Sequence, residues 1–281
     1  MEKNTERNIR LVALDLDDTT LGAGGGLSDE TRRALEEADR AGIRIVVASG
    51  RAFAALPEAV MNLPFIEYVI ASNGANTYEA KTGKRVMEKF LDKEAALHIL
   101  DIAREEGLLV EGFIDGIPYS QRDYMEDTDR LNRTGRNAAY VQSTRKPVED
   151  IFDFLSRAER LDSVNLLVEE PERKPAVRRR VEEEVKDIYL TTSADVLLET
   201  AHKDAGKGSA LRELAGMLGV PREEIAAFGN AENDIDMIRF AGTGVAVANA
   251  AEIVRDAADE VTESNVEDGV ARWLFRYLEK L

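Results

Sequence analysis

Short apolar runs recur along the first third of the chain, and each one stops at a polar or glycine-rich cluster. Ile9-Arg10-Leu11-Val12-Ala13-Leu14 ends at Asp15-Leu16-Asp17-Asp18-Thr19. Ile43-Arg44-Ile45-Val46-Val47-Ala48 ends at Ser49-Gly50-Arg51, and Tyr68-Val69-Ile70-Ala71 at Ser72-Asn73-Gly74-Ala75. Runs of this length read as strands buried on both faces, the appearance of a parallel sheet covered by helices. Between the first two, the loop Leu21-Gly22-Ala23-Gly24-Gly25-Gly26-Leu27 leads to Ser28, a helix cap. Asp29 and Glu30 follow it, where the helix dipole favours negative charge, and Gly42 ends that helix. The same rhythm returns late, with a helix over 207–218 and a strand Ile225-Ala226-Ala227-Phe228. That strand ends in Gly229-Asn230-Ala231-Glu232-Asn233-Asp234; a further strand, Gly244-Val245-Ala246-Val247, and a helix over 268–278 close the chain. Trp273, Leu274 and Leu278 have helical spacing and are expected to plug the core.

The middle of the chain breaks this pattern. A hairpin is predicted over 77–86, around Lys81-Thr82-Gly83-Lys84, followed by a helix over 93–106. A second hairpin turns at Asp115-Gly116. Helices are predicted over 148–159 and 171–185, and strands over 163–168, 188–192 and 196–200. Hairpins mixed with helices indicate an α+β unit with a mainly antiparallel sheet. The expected architecture is therefore an α/β doubly wound parallel sheet, Rossmann-like, built from residues 1–83 and 200–281. The α+β unit, residues 84–199, is inserted into it.

Composition narrows the function. The chain has 281 residues and a net charge of −17, which disfavours nucleic-acid and membrane-surface partners. It has no cysteine, which excludes disulfides and thiol chemistry, and its two histidines, His98 and His202, argue against a histidine zinc site. Both histidines are expected to be ordinary surface or packing residues. No apolar run is long enough to span a bilayer, and residues 1–7 are polar without the apolar core of a signal peptide; a cytoplasmic protein is expected. The helix that carries Arg178-Arg179-Arg180 and Glu182-Glu183-Glu184 reads as a solvated face with i,i+4 pairing.

Four features fall at strand ends or helix starts of the discontinuous domain: the Asp15/Asp17 cluster, Ser49, Lys207, and the Asn230 to Asp234 stretch. In a doubly wound sheet these positions share one edge, where ligands bind. Crowded carboxylates there repel one another unless a cation such as Mg²⁺ neutralises them. A strand ending in Asp-x-Asp-x-Thr also supplies one carboxylate to attack and a second to move protons.

These residues resemble the motifs of the haloacid dehalogenase phosphatase superfamily, specifically its Cof-type sugar-phosphatase branch with a large cap. Asp15-Leu16-Asp17-Asp18-Thr19 matches the first motif, Ala48-Ser49-Gly50-Arg51 the second, Lys207-Gly208 the third and Gly229-Asn230-Ala231-Glu232-Asn233-Asp234 the fourth. Ser72-Asn73-Gly74-Ala75, Gly244-Val245-Ala246-Val247-Ala248-Asn249-Ala250 and Asn265-Val266-Glu267-Asp268-Gly269-Val270-Ala271 are similar to further stretches of this branch. The resemblance covers the core; over the cap it rests on placement.

The resemblance implies a Mg²⁺-dependent phosphatase of small phosphorylated metabolites. In it Asp15 is the nucleophile that becomes an aspartyl-phosphate, Asp17 the acid and base, Ser49 a donor to the phosphoryl group, and Lys207 the cation holding both. Mg²⁺ falls to Asp15, Asp17, Asn230 and Asp234. Asp18, Gly50, Arg51, Asn73, Gly74 and Asn233 fall around the substrate phosphate. Two positions depart from the pattern. Asn230 stands where the family usually has an aspartate ligand, so weaker metal binding is expected. Asp18 stands where glycine is common and reads as turn chemistry. The cap is expected to choose the substrate, with Arg133, Arg136, Arg145 and Lys146 available to a distal anion and Tyr119, Tyr124 and Tyr140 to a ring. A phosphomutase-like phosphotransferase and a catalytically weakened phosphometabolite-binding protein remain alternatives. Neither the substrate nor the oligomeric state is written in the sequence.

Overall fold

A computed structural model of the chain describes residues 8–281; the polar stretch 1–7 lies outside the described residues. All four side chains of the strand β1 (Leu11–Leu14) are buried, and alternate ones feed opposite cores. Val12 and Leu14 join Leu35, Phe228, Trp273 and Leu274, whereas Leu11 and Ala13 join Leu211 and Leu214. The helices Asp29–Arg40 and Gly269–Leu278 therefore cover one face and Lys207–Leu218 the other. Such two-sided burial is why these strands read as unbroken apolar runs. Ser28 caps the first of these helices by accepting the Thr31 N–H at 2.9 Å, as expected. Trp273 packs edge-on against Phe228, with ring centroids 5.1 Å apart.

The remaining strands are β2 (Arg44–Ala48), β3 (Ile66–Ala71), β4 (Asn76–Glu79), β5 (Arg85–Glu88), β6 (Leu109–Ile114), β7 (Ile117–Gln121), β8 (Lys146–Val148), β9 (Ser163–Leu167), β10 (Ile188–Thr191), β11 (Leu197–His202), β12 (Ile225–Gly229), β13 (Thr243–Val247) and β14 (Glu260–Thr262). Eight of the fourteen strands form one sheet in the order β14-β13-β12-β1-β2-β3-β4-β5, parallel from β14 to β3 and closed by the antiparallel pair β4 and β5. The chain runs from β1 to β2 on one side and returns to β12 on the other. The order reverses at β1, and a crevice opens beyond its carboxyl end.

The other six form a second sheet, β10-β11-β9-β6-β7-β8, antiparallel except for β7 with β8. The helices Lys93–Glu106, Ile151–Arg157 and Lys174–Glu184 pack on one of its faces through Val110, Val164, Leu166 and Leu198. Period-two alternation turns the intervening residues to the opposite face. There Ser120, Glu111, Asn165, Glu199 and Thr191 sit side by side in register across five strands, all buried.

Some elements differ from the sequence reading. Membership passes between the sheets after Glu88 and again after His202, a few residues beyond 84 and 199. The predicted hairpin strand stays hydrogen-bonded to β4, and β11 extends to pair with β10. Val148 closes β8, and the predicted helix 148–159 shortens to Ile151–Arg157. Three short helices between 122 and 144, and the edge strand β14, carry too little periodicity to be read in advance.

Glu111 is the polar centre of the cap sheet. Arg136 Nη1 and Nη2 donate to its two oxygens at 2.8 and 3.0 Å, and Arg145 Nε and Nη2 do so at 3.3 Å each. Burial alone would raise its pKa, but Arg136 and Arg145 outweigh that and hold it down at about 2. The depressed value means the pair stabilises the fold above the ordinary 4.5 and loses that contribution as pH falls toward 2. Glu111→Gln strands two buried cations, and the expected cost is about 3–5 kcal/mol in urea unfolding at neutral pH. The gap between variant and wild type should narrow below pH ~4.5.

Candidate active site

Asp15 directly follows β1, and its N–H donates to the Phe228 carbonyl of β12 at 3.1 Å. Lys207 is the first residue of the helix Lys207–Leu218. Its ammonium is fully buried and donates to Asp15 Oδ1 at 2.7 Å and to Asp234 Oδ1 at 2.6 Å. Burial lowers the Lys207 pKa, but the two carboxylates more than reverse this and hold it well above its ordinary value. Asp15 is pushed up to about 7: burial is the main cause, the Asp234 carboxylate adds to it, and Lys207 only partly opposes them. A single ammonium does not balance the acidic groups around it.

Asp17 is half exposed at the mouth of the crevice. Arg51 grips it in a fork, Nε to Oδ2 at 2.8 Å and Nη2 to Oδ1 at 2.6 Å, and spends Nη1 on the Ala55 carbonyl at 3.1 Å. Arg51, expected around the phosphate, gives two of its N–H donors to Asp17 and one to Ala55. Ser49 is buried at the end of β2; its Oγ accepts the Arg51 N–H at 3.1 Å and keeps its own proton to donate. Asp18 adopts a left-handed φ of 55°, and its carbonyl accepts Asn249 Nδ2 at 2.8 Å. Its exposed side chain fits the turn role, at a corner where glycine is easiest.

Asn73, Gly74 and Asn233, expected around the phosphate, are all buried. Asn73 Oδ1 accepts Asn233 Nδ2 at 2.9 Å, and Asn73 Nδ2 donates to Glu199 Oε1 of the cap at 3.0 Å. Its N–H holds the Ser49 carbonyl at 3.1 Å, and its own carbonyl takes the Gly206 N–H at 2.8 Å. Gly74 has φ +84°, and a Cβ there would lie 2.2 Å from the Gly206 carbonyl oxygen, so only glycine fits. A Cβ on Gly50 would come within 3.0 Å of Asn73 Oδ1 and 3.2 Å of Glu199 Oε1. Glu199 was not singled out from the sequence; its place opposite a core asparagine depends on how the cap is seated.

The oxygen donors at this edge suit a hard cation. Asn230 follows β12, and its Oδ1 accepts the Thr19 hydroxyl at 3.0 Å, which turns the amide oxygen toward the loop that begins at Asp15. The raised pKa of Asp15 marks a site short of positive charge. Asp234, expected as a metal ligand, has both oxygens engaged, one by Lys207 and the other by the Asn230 and Ala231 N–H groups at 2.9 and 3.0 Å. Among the described residues no three acidic or histidine side chains converge as a ligand cluster, so any cation relies on a mixed oxygen set.

Of the cap candidates, Arg136 and Arg145 pair with Glu111, Tyr119 packs tilted against Phe154, and Tyr124 is buried inside the cap. Arg133 and Lys146 are exposed. Tyr140 stands against a core side chain, with the Arg51 guanidinium carbon 4.2 Å from its ring centroid. Arg178 is more than a solvated residue: besides Glu182 at 2.9 Å it forks onto Glu232, inside the fourth motif, at 2.7 and 2.8 Å.

The family model of the haloacid dehalogenase-like hydrolases matches residues 12–274. The chain belongs to that family. A phosphatase of Bacillus subtilis, YwpJ, is 32% identical, with 95% of this chain and 99% of the relative covered. The 5-amino-6-(5-phospho-D-ribitylamino)uracil phosphatase YcsE of the same organism is 28% identical over 94% of each chain. The solved structure of a haloacid dehalogenase-like hydrolase from B. subtilis superposes with a TM-score of 0.83 at 29% identity, covering 95% of this chain and 99% of that one. This hydrolase is thus an enzyme of the phosphoric monoester class. Among the described residues no helix is long and apolar enough to cross a membrane.

Asp15 carries a pKa raised from 3.8 to about 7, so the folded state keeps a proton that the unfolded chain releases within that window. Its contribution to stability declines as pH rises through the window and flattens above it. With metal chelated, the melting temperature of Asp15→Asn should gain on wild type between pH 5 and pH 8. A difference that does not change with pH would contradict this origin of the raised value.

Proposed function

We propose that this hydrolase cleaves monoesters of small phosphorylated metabolites through an aspartyl-phosphate on Asp15, with Mg²⁺ as its cation. The observation that carries the reading is the state of Asp15. One carboxylate oxygen is held by a buried ammonium, and the other has no hydrogen-bond partner among the described residues. A carboxylate so fixed is oriented for in-line attack. The named activity of the relative YcsE, on a phosphate ester of a small ribityl compound, supports the substrate class.

In the first step an Asp15 oxygen forms a bond to phosphorus while the ester P–O bond breaks, its electron pair leaving on the alcohol oxygen. Asp17, at the mouth of the crevice, gives that oxygen a proton. In the second step water attacks phosphorus and Asp17 takes the water's proton. The bond to Asp15 then breaks with its electrons returning to the carboxylate. Lys207 offsets negative charge on Asp15 throughout, and the Ser49 hydroxyl donates to a phosphoryl oxygen. The Asp15 carboxylate, the Asp17 backbone carbonyl and the Asn230 amide would hold Mg²⁺, with Asp234 steadying Lys207 and the Asn230 turn. When bound, the ion neutralises the approach of one anion to another.

Inorganic phosphate should be released from p-nitrophenyl phosphate in Mg²⁺, and Asp15→Asn should lower the rate by at least ~10³. Release of phosphate without a bisphosphate activator separates hydrolysis from a mutase-like transfer. Absence of turnover at millimolar Mg²⁺ across a panel of phosphate esters would favour a binding protein weakened at Asn230. Because Asn230 brings no charge to the ion, Asn230→Asp should lower the half-saturating Mg²⁺ concentration by about tenfold. An unchanged value would remove Asn230 from the ligand set.

A further inference from the structure

Tyr140 lies between two guanidinium groups, with Arg51 4.2 Å and Arg145 4.6 Å from its ring centroid. Two cations on one ring repel each other unless each is matched elsewhere. Here each is matched, Arg51 by Asp17 and Arg145 by the buried Glu111. A continuous line of contacts therefore runs from the centre of the cap sheet to the acidic group at the crevice mouth: Glu111, Arg145, Tyr140, Arg51, Asp17. The ring is carried on the short cap helix Ala138–Thr144, capped by Asn137 through the Tyr140 N–H at 3.0 Å. On the core side Asp17 and Ala55 take three of the five Arg51 N–H donors and fix the plane of the guanidinium, whose face is then presented to a stacking partner. Tyr140 is that partner.

We propose that Tyr140 is a positioning residue for the proton-donating step. The seated cap presses its ring onto Arg51, and Arg51 in turn fixes the direction in which Asp17 presents its carboxyl to the leaving oxygen. The guanidinium can still donate to the remaining acceptor oxygen once Asp17 is protonated, so the grip serves both states of the carboxyl. The proposal rests on the reading of Asp17 as the acid given above. It adds that the acid is in place only when the cap supplies the ring. The contact uses the π-face of the ring and not the phenol oxygen.

The test compares kcat/KM, which reports the half-reaction up to loss of the leaving group, on two esters. p-Nitrophenolate departs as a stable anion and needs little help from a proton, whereas the alkoxide of glycerol phosphate needs a full one. Tyr140→Leu, which keeps apolar bulk but no ring, should lose about tenfold or more on glycerol phosphate and much less on p-nitrophenyl phosphate. Tyr140→Phe should restore the wild-type ratio between the two esters. Equal losses on both esters at an unchanged melting temperature, or a phenylalanine variant as poor as the leucine one, would overturn the role of Tyr140 while leaving the hydrolase reading intact. A wild-type enzyme inactive on these two esters and across the wider ester panel would overturn the aspartyl-phosphate reading itself, and the Tyr140 proposal with it.

Discussion

Everything at the catalytic edge depends on one buried ammonium. Lys207 is fully enclosed and bonded to two carboxylates, one following β1 and the other beyond the end of β12. A buried charge of this kind is tolerated only when its partners are close and correctly aimed. That condition ties three distant parts of the chain into one geometry: the first strand, the first turn of the returning helix, and the turn after the neighbouring strand. Asp234 satisfies it by giving one oxygen to Lys207 and the other to two backbone N–H groups. The same arrangement leaves Asp15 with excess negative charge about it, a state that costs stability when no cation is bound and suits the proposed meeting with a cation and a phosphate. Rigidity and reactivity at this edge come from the same imbalance.

Most of the core was legible because β1 to β3 and β12 are buried on both faces, and each ends in residues whose chemistry has no place in a core. Lys207 meets Asp15, and Ser49 follows the end of the neighbouring strand β2. Elements became illegible where local pattern gives way to tertiary placement. The helices between 122 and 144 are each seven residues or fewer and show no sustained period. The alternation in β6, β9 and β11 marks Glu111, Asn165 and Glu199 as outward-facing. Only the assembled cap shows that this outward face looks into a second interface and is buried.

Side-chain partners were less legible than positions. Arg51 sits where the motif puts it, yet its guanidinium serves Asp17, because a forked donor beside a carboxylate satisfies both groups at once. Asn73 and Asn233 are likewise buried, the Asn233 amide donating to the Asn73 amide oxygen. Arg136 and Arg145 looked like surface charge available to an anion; the buried Glu111 between them could not be inferred from spacing. Arg178 looked like one member of a helix-face ladder, and its fork to Glu232 depends on how the cap comes down on the fourth motif.

The close approach of Gly74 to Gly206 has a mechanical meaning. Gly206 belongs to the strand of chain that leads out of the cap, and no side chain separates it from the turn that holds Asn73. Asn73 is also bonded to Ser49, Asn233 and Glu199. The segment leaving the cap is therefore keyed to the turn as a tongue is to a groove, with backbone bearing directly on backbone. The fit sets the spacing between that segment and a turn bonded to both the core and the cap, so the seat of the cap and the place of Ser49 share one reference point.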